Sequence, residues 1–167
     1  TARTELHLER ATHALGVGGQ VSLYDFKFSQ SFNRATPVGF QSRPAEVAAY
    51  VDDQWTPRAA TTIRTGLRTR YITDGKRFLL EPRLSASRAL SEKLQLKFGS
   101  GVYNQYLQLV TTEGFSAGDL YVPIDASTQP GRSLQAVVGA EYEASSQYRF
   151  SAETYFTRLT HLVEFTN

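Results

Sequence analysis

The stretch TTIRTGLRTRYITDGKRFLLEPRLSASRALSEKLQLKFGSG, residues 61–101, determines the fold class. In its first segment the apolar residues Ile63 and Leu67 alternate with Arg64 and Arg68. Successive side chains of a strand point to opposite faces, so a period of two predicts one apolar face and one polar face. Two later segments of the stretch repeat the alternation, and none of the three fits helical spacing. The stretch is therefore predicted to form three strands of an antiparallel meander.

The residues on the polar parity indicate which class of β-protein this is. They include an arginine on strand after strand, together with carboxylates such as Glu81 and Glu141. A packed interior does not hold so many charges unless they are paired. The other parity is aliphatic in mid-strand and aromatic towards the strand ends, as at Tyr71, Phe78 and Tyr148. This pattern is typical of a transmembrane β-barrel with lipid outside, a polar lumen and aromatic girdles.

The composition excludes several other classes. A formal net charge of +2 gives no basic footprint for nucleic acid. No run approaches the roughly 18 apolar residues of a transmembrane helix. The mean hydropathy of -0.34 suits a barrel, because only alternate residues of each strand face lipid. The chain has no cysteine, which excludes a disulfide framework and thiolate metal sites.

No catalytic or cofactor motif is present in the sequence. The run GVGG at 16–19 is not a phosphate-binding loop, because no helix is predicted after it. His7, His13 and His161 are scattered, and we interpret them as polar strand or turn positions rather than metal ligands. We therefore expect no enzymatic activity, no cofactor and no metal site.

The same alternation predicts about eight strands over the whole chain. Outside the opening stretch, the predicted strands are 2–10, 13–30, 45–55, 133–144 and 148–157. Tyr50 and Trp55 are predicted to be anchors at the membrane interface. A change of parity near Tyr24 predicts a bulge or an exit from the membrane there.

The connections between these strands alternate in length. Short turns are predicted near residues 12, 57, 91 and 145. Of the three connections between them, those that contain the irregular stretches 31–44 and 111–129 are longer, and the one near 72–76 is not. Outer-membrane barrels have short periplasmic turns and longer extracellular loops. The long connection is therefore expected on the extracellular side. Tyr103, Asp119 and Tyr121, in or beside it, are the candidate substrate contacts.

Charged residues on the polar parity are predicted to face the lumen. They are Arg64, Arg68, Arg70, Arg83, Glu141 and Glu153. The arginines are candidates for lining a translocation path or holding a plug. The alternative is a solvated lumen wall in which the arginines pair across strands with Glu81 or Glu141.

Several segments resemble the barrel of TonB-dependent outer-membrane receptors. They are AAYVDDQW (48–55), GLRTRY (66–71), EPRLSASRALSEKLQLKFGSGVYNQ (81–105) and QPGRSLQAVVGAEYEASSQYRFSAETYFTRL (129–159). The resemblance extends over roughly residues 13–165. It implies a location in the outer membrane of a Gram-negative bacterium, surrounded by lipid. It also implies uptake of a siderophore, cobalamin or oligosaccharide-type nutrient, driven by the TonB energy-transducing complex.

The chain departs from the family pattern in two respects. Such receptors have a plug domain, which is the part that contacts TonB, and a barrel of about 22 strands. Here no plug segment is found and only about eight strands are predicted. We therefore expect residues 1–167 to be a single partial barrel domain, an open sheet with two unpaired edges. Two alternatives remain open: a complete eight-stranded outer-membrane barrel that acts as an anchor or adhesin, and a soluble lipocalin-like barrel.

Overall fold

A computed structural model describes residues 1–30, 38–110, 120–124 and 127–162. The strands in chain order are β1 (Ala2–Arg10), β2 (His13–Leu23), β3 (Phe26–Gln30), β4 (Val38–Ser42), β5 (Ala45–Arg58), β6 (Thr61–Ile72), β7 (Arg77–Ala89), β8 (Leu94–Gln105), β9 (Leu107–Val110), β10 (Leu120–Pro123), β11 (Gly131–Glu143) and β12 (Arg149–Thr160). One turn of 3-10 helix, Asp74–Lys76, joins β6 to β7. Within these residues, no helix has the length and apolar character needed to cross a membrane.

Eight of the strands form one antiparallel sheet in the order β1-β2-β5-β6-β7-β8-β11-β12. The other four form two separate hairpins, β3–β4 and β9–β10. Among the described residues, β1 and β12 are the edges of the sheet and do not pair with each other. The antiparallel meander and the open sheet predicted from the sequence are both confirmed.

The strand register places residues of like character side by side. Leu6, Val17, Val51, Leu67 and Pro82 lie directly opposite one another along five neighbouring strands. Directly paired residues of an antiparallel sheet project from the same face. We call the face that carries this row the apolar face and the opposite one the polar face. A shift of one residue in any strand would exchange its two faces, so the alternation in the sequence fixes the register.

The connections separate into two edges, as their lengths predicted. The short turns 11–12, 59–60, 90–93 and 144–148 share one edge of the sheet, which we call the short-turn edge. Both hairpins and the Asp74–Lys76 turn extend from the other edge, which we call the loop edge. In that turn Gly75 has a φ of 68°. This is the left-handed region that glycine adopts without steric cost.

Two strand predictions need correction at the loop edge. The predicted strand 13–30 is divided: β2 ends at Leu23, where the parity changes, and the next residues pair within the β3–β4 hairpin. The base of this hairpin is closed by the Tyr24 amide, which donates to the Pro44 carbonyl at 3.0 Å. The predicted irregular stretches, 31–44 and 111–129, also include residues that form strands. Val38–Ser42 and Leu120–Pro123 are strands, because each finds a partner strand beyond the edge of the main sheet.

Candidate functional site

A cavity of about 730 Å³ lies on the polar face. One complete row of directly paired residues borders it, with one residue from each strand of the sheet: His7, Gly16, Asp52, Gly66, Arg83, Gly101, Gln135 and Thr157. A flat sheet does not form a cavity along a row that spans its whole width, so the polar face is concave. Three of the eight residues are glycine, and their missing side chains leave room for the cavity.

The apolar face lies on the side of the sheet opposite to this cavity. Its large side chains are exposed to the surroundings, including those of Leu6, Val17, Val47, Leu67, Leu80, Leu84, Val138 and Phe150. Contiguous apolar surface on this scale marks a surface that meets another apolar phase or a partner. The sheet therefore has an apolar outer surface and a polar hollow.

Arg70 holds two buried carboxylates together on the concave face. Its Nε and Nη2 donate to the two carboxylate oxygens of Glu46 at 3.0 and 2.8 Å. Its Nη1 donates to Glu81 and to the Asn104 carbonyl, both at 3.2 Å. The two glutamate side chains are each only 6% exposed. The bidentate contact with Glu46 is the strongest geometry that an arginine and a carboxylate adopt.

Two further arginines extend this group into an ion cluster, which consists of Glu46, Arg68, Arg70, Glu81 and Arg83. An Nη2 atom of Arg68 lies 3.6 Å from Glu46, and one of Arg83 lies 4.0 Å from Glu81. Two of the arginines, Arg70 and Arg83, therefore pair with Glu81, as the sequence suggested, and Arg68 and Arg70 also pair with Glu46, which no sequence pattern indicated.

The remaining charged residues predicted to face a lumen also lie on the polar face, away from the ion cluster. Arg64 Nε donates to the Gln54 amide oxygen at 2.8 Å. Glu141 accepts from Lys97 rather than from an arginine. On the edge strand, Glu153 is directly opposite Gly139. The six predicted residues thus share one face, but only Arg68, Arg70 and Arg83 lie in the ion cluster.

Tyr50 lies on the polar face and is not at an interface of the apolar face, which corrects its predicted role. It is directly opposite Gly18, and a methyl group built on Gly18 would overlap its ring. The Arg3 guanidinium lies 5.2 Å from the ring centroid, and its Nε donates to the phenol oxygen at 2.9 Å. The absence of a side chain at Gly18 therefore lets the tyrosine lie flat on the sheet.

Tyr103 repeats this arrangement on the other side of the concave face. Its ring covers Gly101, where an added Cβ would lie 2.9 Å from the phenol oxygen. The Arg83 guanidinium stacks over the ring at 5.3 Å from its centroid. Of the three predicted substrate contacts, Tyr103 therefore borders the cavity. Asp119 lies outside the described residues. The backbone of Tyr121 pairs with that of Leu109 in the β9–β10 hairpin.

A small hydrophobic cluster that the sequence pattern did not predict lies at the loop edge. Ile72, Tyr106 and Ile124 are buried there. Tyr106 donates a hydrogen bond to Asp74 at 3.2 Å. Burial raises the pKa of Tyr106 well above its ordinary value, and the negative charge of Asp74 raises the pKa further. The phenol therefore stays protonated and remains a donor. An isoleucine on the otherwise polar parity of β6 was the one signal for this cluster.

Metal binding has no support in the described part of the chain. No three histidine, aspartate or glutamate side chains there come close enough together to hold a metal ion.

The fold is similar to part of several solved receptor structures. A mutant of the ferric enterobactin receptor PfeA from Pseudomonas aeruginosa matches with a TM-score of 0.65 and 17% identity, over 94% of this chain and 26% of the receptor. The siderophore receptor PirA from the same organism matches with a TM-score of 0.61 and 20% identity, over 94% of this chain and 29% of the receptor. PirA from Acinetobacter baumannii matches with a TM-score of 0.67 and 16% identity, over 92% of this chain and 25% of the receptor. The chain thus spans about a quarter of the length of the receptors that it matches.

No family model and no curated protein sequence matches the chain. The structural matches confirm the resemblance at the level of the fold, which is an antiparallel meander like part of a receptor barrel.

Proposed function

We propose that this chain is part of the barrel wall of a TonB-dependent receptor in the outer membrane of a Gram-negative bacterium. The observation that carries the proposal is the division of one sheet into an exposed aliphatic face and a charged concave face. In a transmembrane barrel the aliphatic face meets lipid and the charged concave face lines the lumen. The receptors of similar fold are receptors for siderophores by name, and two structures of PfeA mutants contain enterobactin.

The nutrient belongs to the siderophore, cobalamin or oligosaccharide class, and the similar receptors favour a siderophore. We assign the contact with it to Arg83 and Tyr103, which border the cavity. The Arg83 side chain is 48% exposed, whereas that of Arg70 is 16% exposed and already occupied by two carboxylates. Asp119 and Tyr121 complete the proposed set from the long connection. The lumen is also lined by the other charged residues of the polar face, which include Arg64, Arg68, Glu141 and Glu153.

The partners follow from the same proposal. The apolar face contacts membrane lipid, and TonB acts through a plug domain of the parent receptor. The residues 1–167 form one partial barrel domain, whose loop edge faces the outside of the cell. The protein is a transporter without enzymatic activity or a cofactor.

The two other classes fit the sheet less well. A complete eight-stranded barrel needs its first and last strands to pair, and among the described residues β1 and β12 do not. A lipocalin-like barrel needs aliphatic side chains inside, and here the concave face is the charged one.

Uptake by whole cells tests the proposed function. When the parent gene is deleted, uptake of one nutrient among a labelled ferric siderophore, cobalamin and an oligosaccharide should fall to background. Restoring the gene with Arg83→Gln should leave uptake at limiting nutrient roughly tenfold below the wild-type level, the usual effect of losing one charged contact. Arg149→Gln is the matched control, because Arg149 is exposed beside the short-turn edge and should be dispensable. Uptake of all three nutrients that is independent of the gene would refute the proposal.

A further inference from the structure

Two arginines lie on the apolar face near the loop edge. Arg132 is close to the start of β11, and Arg158 is close to the end of β12. Arg132 has the parity of Val138, which projects from the apolar face. Arg158 is directly opposite Leu134, which has the same parity, so both arginines project from the apolar face. A charged side chain on a surface that meets lipid is costly, and in membrane proteins such residues mark functional sites.

The two guanidinium groups have no counter-ion in the described part of the chain. Arg132 is directly opposite Thr160, so Arg158 is its diagonal neighbour across the β11–β12 pair. The Cα atoms of diagonal neighbours are about 7–8 Å apart, which two long side chains can bridge. Both arginines are exposed, and no described carboxylate forms an ion pair with either. Like charges at this distance repel each other, and an anion held between them offsets the repulsion.

A cavity of about 360 Å³ borders Arg132 on the apolar face. Its lining includes Phe78, Leu80, Arg132 and His161. The phenylalanine and the leucine have the parity of the apolar face, and they are 64% and 50% exposed. The cavity is therefore open to the apolar side. Arg158 is outside this lining, one diagonal step from Arg132 on the same face. The site thus has an apolar wall beside a group of cations and N–H donors.

A lipid with a phosphate headgroup matches both parts of this site. Guanidinium groups form charge-assisted and often bidentate hydrogen bonds with phosphate oxygens. An acyl chain can pack against Phe78 and Leu80. A phosphomonoester has a charge of about −1.5 to −2 at pH 7 and three strong acceptor oxygens, and a phosphodiester has a single negative charge. Two arginines and a histidine therefore favour a phosphomonoester.

We propose that Arg132, Arg158 and His161 bind the phosphate of one membrane lipid whose headgroup is a phosphomonoester. Arg132 donates to the phosphate at the mouth of the cavity, and Arg158 balances its second negative charge. His161 supplies a further N–H donor. The side chains of Phe78 and Leu80 pack against the acyl chain next to the headgroup. This inference rests on the proposed function only in requiring that the apolar face meet lipid.

The quenching of a tryptophan beside the cavity tests the site. Tyr71 is directly opposite Phe78, and Trp55 is the only tryptophan of the chain, so the reporter is the full chain with Trp55→Phe and Tyr71→Trp. It is placed in phosphatidylcholine bilayers that contain a small fraction of a second lipid with brominated acyl chains, which quench tryptophan on contact. Brominated phosphatidic acid, a phosphomonoester, should reach half-maximal quenching at a fraction roughly fivefold below that of brominated phosphatidylglycerol, a phosphodiester. This factor is the one expected for one additional charge contact.

Substitutions in the reporter chain identify the arginines responsible. Arg132→Gln should abolish the preference for phosphatidic acid, and Arg158→Gln should reduce it. Arg10→Gln is the matched control, because Arg10 is exposed on the same face as Leu6 but lies at the short-turn edge. It removes the same charge from the other edge of the sheet and should retain the preference.

The outcomes separate this inference from the proposed function. Equal quenching by the two brominated lipids, a preference that survives Arg132→Gln, or an equal loss with Arg10→Gln would overturn the phosphate site while leaving the membrane location supported. A preference that millimolar inorganic phosphate abolishes would also overturn it, because the site would then take a free anion. Absence of quenching by every brominated lipid would overturn the membrane location itself. If Arg132→Gln fails to fold, an undiminished preference in Arg158→Gln would overturn the site.

Discussion

Replacing Arg70 by methionine should lower the free energy of unfolding by about 3–5 kcal/mol. The substitution keeps a long side chain but removes every hydrogen bond that Arg70 gives to Glu46 and Glu81. Both carboxylates are almost completely buried, so each would remain as a charge without adequate compensation. Urea titration of the chain in detergent micelles, followed by far-ultraviolet circular dichroism, measures the effect.

Arg64→Met is the control for this prediction. Arg64 lies on the same strand and the same face, but it is exposed and donates to the neutral Gln54 amide rather than to a buried carboxylate. Its replacement should change the free energy of unfolding by less than about 1 kcal/mol. Adding Glu46→Gln and Glu81→Gln to Arg70→Met should recover part of the lost stability, because the uncompensated charges are then gone. Equal effects of Arg64→Met and Arg70→Met would show that the ion cluster does not hold the wall together.

Replacing Gly18 by alanine should lower the free energy of unfolding by about 1–3 kcal/mol. The added methyl group would overlap the ring of Tyr50 and lie 2.8 Å from the Thr4 carbonyl oxygen. The ring can rotate away only by giving up its contacts with Arg3, and the carbonyl belongs to the backbone of β1 and cannot rotate away. The same urea titration measures this loss.

The neighbouring Gly19 provides a matched control. A methyl group there would meet only the Ala48 carbonyl oxygen, at an ordinary 3.6 Å. Gly19→Ala should therefore be neutral, or stabilise by up to about 1 kcal/mol, because alanine restricts the unfolded chain. Tyr50→Leu in the Gly18→Ala background should cost less than the sum of the two single changes. A Gly19→Ala variant as unstable as Gly18→Ala would contradict the proposed tyrosine packing.

Local alternation was sufficient to predict the main sheet. The strand predicted at 2–10 coincides with β1, and the predicted change near Tyr24 coincides with the end of β2. The Asp74-Gly75 turn joins β6 and β7 as predicted. These features depend on residues that are close together in the sequence. The alternation of apolar and polar residues, or a local turn motif, is therefore enough to predict them.

The features that the sequence did not reveal depend on pairing between distant segments. β9 and β10 are short strands that pair across a long connection. Neither segment has a strong strand signal in its own sequence, so the pairing was not predicted. The position of Tyr50 follows from its register with Gly18 on a different strand. Glu46 is buried because Arg70 is on the neighbouring strand and reaches it, and nothing next to Glu46 in the sequence indicates that partner.

The candidate site was predictable in its chemistry and less so in its geometry. The six charged residues share one face of the sheet, because the face of a strand residue follows from parity alone. The sequence did not indicate that Arg83 and Tyr103 would stack beside the cavity, because that contact depends on the glycine beneath the ring.

In the proposed function, the apolar face meets lipid and the polar face meets water. The chain has no cysteine, so single cysteines can be introduced along β7 and spin-labelled without background. In lipid bilayers, labels at Leu84→Cys and Ala86→Cys should collide more often with oxygen, which concentrates in hydrocarbon. Labels at Ser85→Cys and Ser87→Cys should collide more often with a water-soluble nickel chelate. Accessibility to the two reagents should therefore alternate with a period of two along β7. Accessibility without alternation, or with the two sets of positions exchanged, would show that the apolar face does not meet lipid.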